Sequence, residues 1–369
     1  MRIWCGISGH GMGHVGQVAP VLTALQQQLA EQGETLEAHI HCQVPYARLQ
    51  RKLGKLNWQH HEGQTDIGLI QHHPMVPDLA ATERALNDAC GQWPQRVTQL
   101  AARIAVIKPD LILADIPPMT LAAAKQLAIP TVALSSLSWE AIYADYFSHS
   151  PYLQKWTNRL HQAYAEADLA LLPEPAMGQR RFSRSQRIPA ILDRGEQAAG
   201  TLRARLGIAT TDRRPLVLLS LGGIQAQALP LEPLTQADHL HFLVDAPNLP
   251  EHAHIHGLAP LSHWPFADIM ASVDGVVGKP GYNMAVEAVA WDIPFFYSPR
   301  GHFADEPPIE AWLAEYGRAK CYDWGSLMGG EWLNAWQALI SAPIKPRPAF
   351  NGAEVAARMI TSSCNRQSP

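Results

Sequence analysis

The chain of 369 residues is 47% hydrophobic and 17% charged, which supplies a large core and exceeds one ordinary domain, so two domains of similar size are expected. A formal net charge of -4, with no Lys or Arg run longer than a pair, excludes the electrostatic footprint of a nucleic-acid or anionic-membrane binder. Five scattered cysteines without a C-x-x-C pair suit a reducing cytoplasm, and no stretch nears the roughly 18 apolar residues of a membrane span, which leaves peripheral membrane contact open.

Short apolar runs alternate with amphipathic stretches, the pattern of strand–helix units around a parallel sheet. In the first half, strands are expected at 2–8, 36–43, 110–115 and 130–136. Strand one runs straight into Ser8-Gly9-His10-Gly11-Met12-Gly13-His14, ahead of a helix over 18–31. Gly9, Gly11 and Gly13 allow a tight turn and close approach of a ligand to the main chain. A dinucleotide fingerprint needs glycine where His14 stands and an acidic residue where strand two ends in Cys42-Gln43, so a nicotinamide cofactor is disfavoured. His10 and His14 have the spacing of helical metal ligands. The intervening glycines argue for a loop, and no acidic third ligand is near, so no metal is expected. A neutral imidazole at His14 suits a general base acting on a hydroxyl, the plainer alternative being a histidine that closes the start of the helix. The chain's other histidines, among 17 in all, fall singly or in pairs such as His60-His61 and read as surface or core residues.

The long helical stretch 79–107 should break or kink around Pro94. Asp115 ends a strand at the sheet edge where open α/β folds gather ligands; it orients His14, contacts an acceptor, or opens the turn before Ile116-Pro117-Pro118. Trp139, Glu140, Tyr143 and Asp145 combine aromatics and acids suited to a sugar ring and its hydroxyls, or to ordinary packing of a helix start. A first domain over 1–172 is then followed by an Arg-rich, Pro-punctuated linker, 173–189.

A second domain over 190–344 repeats the pattern, with strands at 216–221, 240–245, 254–258, 275–278 and 294–298 and helices at 266–272, 281–290 and 308–316. A closing helix within 350–363 is expected to return to the first domain. Two facing Rossmann-like domains follow from the two series. The amides of Gly222 and Gly223, after the strand Leu219-Ser220-Leu221, suit a phosphate or an ordinary tight turn. Lys279-Pro280-Gly281-Tyr282-Asn283 opens a helix whose unsatisfied N–H groups and dipole favour a diphosphate. Lys279 adds charge, Asn283 adds an amide donor, and Glu287, one turn on, can accept two ribose hydroxyls; a strand-end cation and a solvated glutamate are the bland alternatives.

The spacing of Lys279, Gly281, Tyr282, Asn283 and Glu287, followed by Asp305-Glu306, is similar to the donor signature of plant-type UDP-glycosyltransferases. That resemblance implies phosphate contacts for Lys279 and Asn283, ribose for Glu287, and sugar hydroxyls for Asp305 and Glu306, with Lys279 replacing the family's histidine as a phosphate partner. Ser8 to His14, Leu113-Ala114-Asp115-Ile116-Pro117, Ser138 to Tyr146 and Gly278 to Glu306 together resemble the glycosyltransferase-like amino-terminal half of plant L-arabinokinase and its stand-alone bacterial relatives. No glycine-rich ATP motif follows residue 340, so kinase activity is not expected. The first loop more distantly resembles that of the lipid-II-forming N-acetylglucosaminyltransferase, whose family implies inversion without a metal. These resemblances imply a GT-B fold and sugar transfer from a nucleotide-sugar, UDP-linked by preference, to a hydroxyl acceptor, with no bound cofactor. His10, His14, Asp115, Gly11, Gly13, Trp139, Glu140, Tyr143 and Asp145 would lie on the acceptor side. A nucleotide-sugar sensor without turnover and a nucleotide-sugar 2-epimerase on the same fold are the rival readings.

Overall fold

The computed structural model describes residues 1–10, 12–73, 75–178, 181–222, 231–246, 249 and 251–365. Its first sheet is parallel throughout and takes β1 (Arg2–Ile7), β2 (Glu37–Cys42), β3 (Trp58–Glu62), β6 (Leu111–Asp115), β7 (Thr131–Leu134), β8 (Leu169–Pro173) and β9 (Ser185–Ile188) in the order β3-β2-β1-β6-β7-β8-β9. Between β3 and β6 a small antiparallel hairpin, β4 (Gln71–His73) and β5 (Val76–Pro77), stands apart. The second sheet, also parallel, takes β10 (Leu216–Ser220), β11 (His241–Val244), β12 (Ile255–Gly257), β13 (Gly275–Gly278), β14 (Phe295–Tyr297) and β15 (Ala319–Cys321) in the order β12-β11-β10-β13-β14-β15. Helices cover both faces of each sheet, so the central strands β6 and β10 are buried end to end and read as continuous apolar runs rather than alternating ones.

The helices that matter for the site are α1 (Gly13–Glu31), α2 (Tyr46–Leu53), α3 (Trp139–Tyr146), α4 (Tyr282–Ala290), α5 (Glu306–Tyr316) and α6 (Gly352–Asn365). The stretch 79–107 is two helices, Leu79–Gly91 and Trp93–Ile107. Pro94 stands in the first turn of the second, where a missing N–H leaves no hydrogen bond unmade. Asp78 caps the first, its carboxylate accepting from the Ala81 amide at 2.8 Å. The last helix, α6, lies on α1: Ala353, Ala356, Ala357 and Ile360 join the core of Val18, Leu22 and Leu25.

Six strands were not expected: the apolar β8, the hairpin pair β4 and β5, and β3, β9 and β15. The last three lie at sheet edges and carry polar residues such as Gln59, His60, Gln186 and Lys320, because an edge strand keeps a solvated flank. The segment expected as a linker, 173–189, thus holds a strand paired with β8. Beyond it the two halves meet through side chains. Tyr282 donates its hydroxyl to Glu174 O and accepts from Ile191 N, both at 3.0 Å. From α2, Arg51 donates to Ser262 O at 2.7 Å and Lys52 pairs with Asp193. No helix among the described residues is long and apolar enough to cross a membrane.

Candidate active site

In each sheet the strand order reverses at the centre, between β1 and β6 and again between β10 and β13, and such switch points open a crevice at the carboxyl ends of the strands. The glycine-rich loop after β1, the end of β6, the turn after β10 and the start of α4 meet there. After β1, Ser8 N donates to Asp115 O at 2.7 Å, tying the glycine-rich loop to the end of β6. His14 falls in the first turn of α1 without capping it. Its buried ring bonds through Nδ1 to Asp115 Oδ1 at 2.9 Å. Burial works against the imidazolium, yet the charge and hydrogen bond of Asp115, with Asp66 and Asp305, outweigh it and hold His14 above the ordinary histidine range. Burial pushes Asp115 up in turn, opposed by His14.

His10 meets Trp139 edge-on at 5.1 Å and lies 6.3 Å from the Phe303 ring at 22°. Burial, helped by His14, Lys279 and Arg300, pushes it down to about 3, so this imidazole is neutral at physiological pH. Among the described residues, no group of three or more His, Cys, Asp or Glu side chains is placed to hold a metal ion.

On the opposite wall, Gly278 ends β13 so close to β10 that a Cβ there would lie 2.2 Å from Ser220 O. Gly222 has a φ of +77°, and a Cβ on it would stand 3.3 Å from Lys279 Cε, so the turn after β10 carries the lysine stem along it. Burial, then Arg300, pushes Lys279 down to about 8, with Glu306 and Asp305 opposing. Gly281 precedes α4 in extended conformation, no side chain caps that helix, and a Cβ on Gly281 would meet nothing within 4 Å. The start of α4 is therefore open to a ligand. Asn283, in its first turn, donates to Gly13 O at 3.1 Å and joins the two walls.

No family model matches the chain. Over 367 residues it is 24% identical to L-arabinokinase of Arabidopsis thaliana, covering 96% of this chain and 33% of that protein, so the chain spans about a third of the relative's length. Among solved structures it is similar to the kitacinnamycin glycosyltransferase (TM-score 0.64, 17% identity, 98% of this chain and 99% of that one). It is also similar to Phytolacca americana UGT2 complexed with UDP-2-fluoroglucose and pterostilbene (0.61, 11%, 99% and 94%) and to the spinosyn rhamnosyltransferase SpnG complexed with thymidine diphosphate (0.54, 14%, 99% and 96%). The fold is GT-B.

Within the GT-B cleft the structure gathers His10, His14, Asp115, Gly13, Gly222, Lys279, Gly281, Asn283 and Asp305. Gly11 and Gly223 lie outside the described residues. Several expected contacts are relocated. Trp139 is 0% exposed and supports the two histidine rings from within, with Tyr143 stacked beneath it, so neither presents a face to a sugar. Glu140 is buried against Arg181, and Asp145 is exposed, with no side-chain hydrogen bond or ion pair among the described residues. Tyr282 is committed to the backbone of Glu174 and Ile191 instead of the cleft. Both oxygens of Glu306 accept from Arg300, from its backbone N at 2.8 Å and Nε at 2.6 Å. Glu287 is buried facing Lys52, and burial, opposed by Lys52, pushes it up to about 8; among the described residues its Oε2 has no hydrogen-bond partner.

Two residues of the GT-B cleft, Arg300 and Asp66, went unread in the sequence. Arg300 follows β14, lies 3.4 Å from the Phe303 ring and holds the Asp305-Glu306 pair. With Arg300 opposing, burial raises Asp305 to about 6. Asp66 follows β3, an edge strand that the apolar pattern does not reveal. Its only local signal is a short segment between Gly63 and Gly68.

Proposed function

We propose that the chain is a glycosyltransferase that moves a sugar from a nucleotide diphosphate, UDP by preference, to a hydroxyl acceptor, with inversion and without a metal. The observation that carries this reading is the meeting, across one cleft closed by the Asn283–Gly13 bond, of the buried His14–Asp115 pair with Lys279 and the open start of α4. With Nδ1 held by Asp115, Nε2 of His14 takes the acceptor proton as the hydroxyl oxygen attacks the anomeric carbon. The bond from that carbon to the diphosphate oxygen breaks, and the diphosphate leaves with the electron pair. Lys279 and the first amides of α4 face the charge that develops; a well-placed donor of this kind is worth about 3 to 4 kcal/mol. These groups take the place a metal would fill. Asp305, held by Arg300 only at 3.5 Å while both oxygens of Glu306 are taken, is the sugar-hydroxyl acceptor of the pair, and the unpartnered Oε2 of Glu287 suits a ribose hydroxyl.

The nucleotides named with the Phytolacca protein and SpnG support a diphosphate in this fold, though they differ in base. The reading takes nothing from the kinase in the name of the arabinokinase relative, of which the chain spans about a third. A sensor without turnover leaves the buried His14–Asp115 pair without a use. Thermal-shift measurements with UDP, GDP, dTDP and ADP test the reading: at least one should stabilise the protein, Lys279→Ala should abolish that shift, and EDTA should leave transfer unchanged. If no diphosphate stabilises the chain, or Lys279→Ala keeps the full shift, the reading fails.

A further inference from the structure

We infer that Asp66 is a positioning residue for His14: a second carboxylate that fixes the glycine-rich loop and Trp139 around the imidazole and supports the positive charge His14 gains when it takes a proton. The inference rests on the general-base reading above. Its geometry is independent of that reading.

Asp66 is carried by the segment between β3 and β4, and that segment is pinned on both sides. Thr65 Oγ1 donates to Ile7 O at 2.8 Å, at the end of β1. Gly68 O accepts from the Tyr143 hydroxyl at 3.1 Å, and a Cβ on Gly68, whose φ is +61°, would lie 3.0 Å from His10 Nδ1. Only a glycine lets His10 pack so closely there. Between these anchors the Asp66 carboxylate collects donors from the two elements that frame His14: Trp139 Nε1 at 2.8 Å, Gly9 N at 3.4 Å, and Ser8. Burial raises the Asp66 carboxyl above the usual carboxylate range, and the three donors, together with the charge on His14, pull against it and favour the ionised form as His14 gains a proton.

The consequence falls on His14. The groups facing it are Asp115 at the end of β6, Asp66 from this segment, Asp305 at the start of α5 and His10 from its own loop. Lys279 and Arg300 act on His10 from the second domain. Asp115 fixes the Nδ1 side of the ring, and Asp66 adds a second negative charge without touching that nitrogen. An imidazole between two carboxylates is a stronger proton acceptor, because the imidazolium formed at the transition state is paid back in Coulomb attraction inside a poorly solvated site.

The test follows the His14 titration by NMR of the full chain labelled with 13C in histidine, the resonance being assigned with His14→Gln. In Asp66→Asn, which keeps an acceptor for Trp139 Nε1, His14 should titrate at lower pH than in the parent. The acid limb of the transfer rate should move the same way, with a loss of turnover smaller than the roughly 10²- to 10⁴-fold expected on removing the base itself. An unmoved His14 titration in a folded Asp66→Asn overturns the inference. Trp139→Phe is the companion: it removes one of the donors that favour the ionised carboxylate and keeps the carboxylate itself, so His14 should titrate between the parent and Asp66→Asn, and a value below that of Asp66→Asn also overturns the inference. The titration needs no substrate, so absence of nucleotide-sugar turnover would count against the proposed function and leave this inference to be decided by the spectra.

Discussion

His14 and Lys279 define the site by opposite electrostatic logic. His14 lies among carboxylates and is held above the ordinary histidine range, so activity that needs the neutral ring should rise with pH through a limb above about 6.5. Replacing it with alanine should lower transfer by about 10²- to 10⁴-fold while the nucleotide thermal shift persists. Lys279 sits beside Arg300 in a buried pocket and loses its proton near about 8. Stabilisation by UDP should therefore weaken as pH rises through that value, and Lys279→Arg, which stays charged, should flatten the decline. Thermal-shift titrations from neutral to alkaline pH separate the two.

At the scale of elements, the two walls touch where α1 meets the start of α4. Gly16 makes that approach possible: a Cβ at this position would lie 2.0 Å from Asn283 Nδ2. Gly16→Ala should break the Asn283–Gly13 bond, destabilise the chain by about 1–3 kcal/mol, and weaken nucleotide binding; denaturant melts with and without UDP read both effects. The closing helix α6 belongs to the first core, where Ile360 is 0% exposed. Ile360→Ala should lower stability by about 2–5 kcal/mol in the same melts. Elements with a local signature were legible in the sequence. The break near Pro94, the strand running into Ser8-Gly9-His10, and the helix after Gly281 each follow from residues adjacent in the chain. The edge strands β3, β9 and β15 were not, and Asp66 was lost with β3.

Across the whole molecule each domain carries a partly buried polar chain of the same make-up. In the first sheet Arg2 pairs with Glu37, which bonds His39, and His39 Nδ1 lies 2.8 Å from His61 Nε2. In the second, Arg214 pairs with Asp212, which bonds His241, and His241 Nδ1 lies 3.0 Å from His256 Nε2. Two imidazoles sharing one hydrogen bond cannot both be protonated without losing it. Burial, with neighbouring cations and histidines, holds His61 and His256 down at about 4, and His10 and His41 at about 3. These folded values lie below the unfolded one, so the unfolded chain binds more protons below about 6.5. Stability should therefore fall as pH drops through that value towards 4, with only His14 opposing among the site histidines. Melting temperatures across this range check the slope, and His61→Gln with His256→Gln should flatten it.

The amino-acid sequence by itself determined the two α/β series, the glycine turns, the helix start at Gly281 and the candidates His14, Asp115 and Lys279. Each of these depends on backbone freedom, apolar periodicity or charge within a few neighbouring residues. Only the tertiary structure decided which side chains face the cleft. Trp139, Tyr143, Tyr282 and Glu306 carry the right chemistry for ligands, yet their partners are Asp66, Gly68, Glu174 and Arg300, residues brought close by folding. A polar group that finds a buried partner within the protein is withdrawn from ligand contact. That pairing is set by long-range packing, which no local pattern encodes.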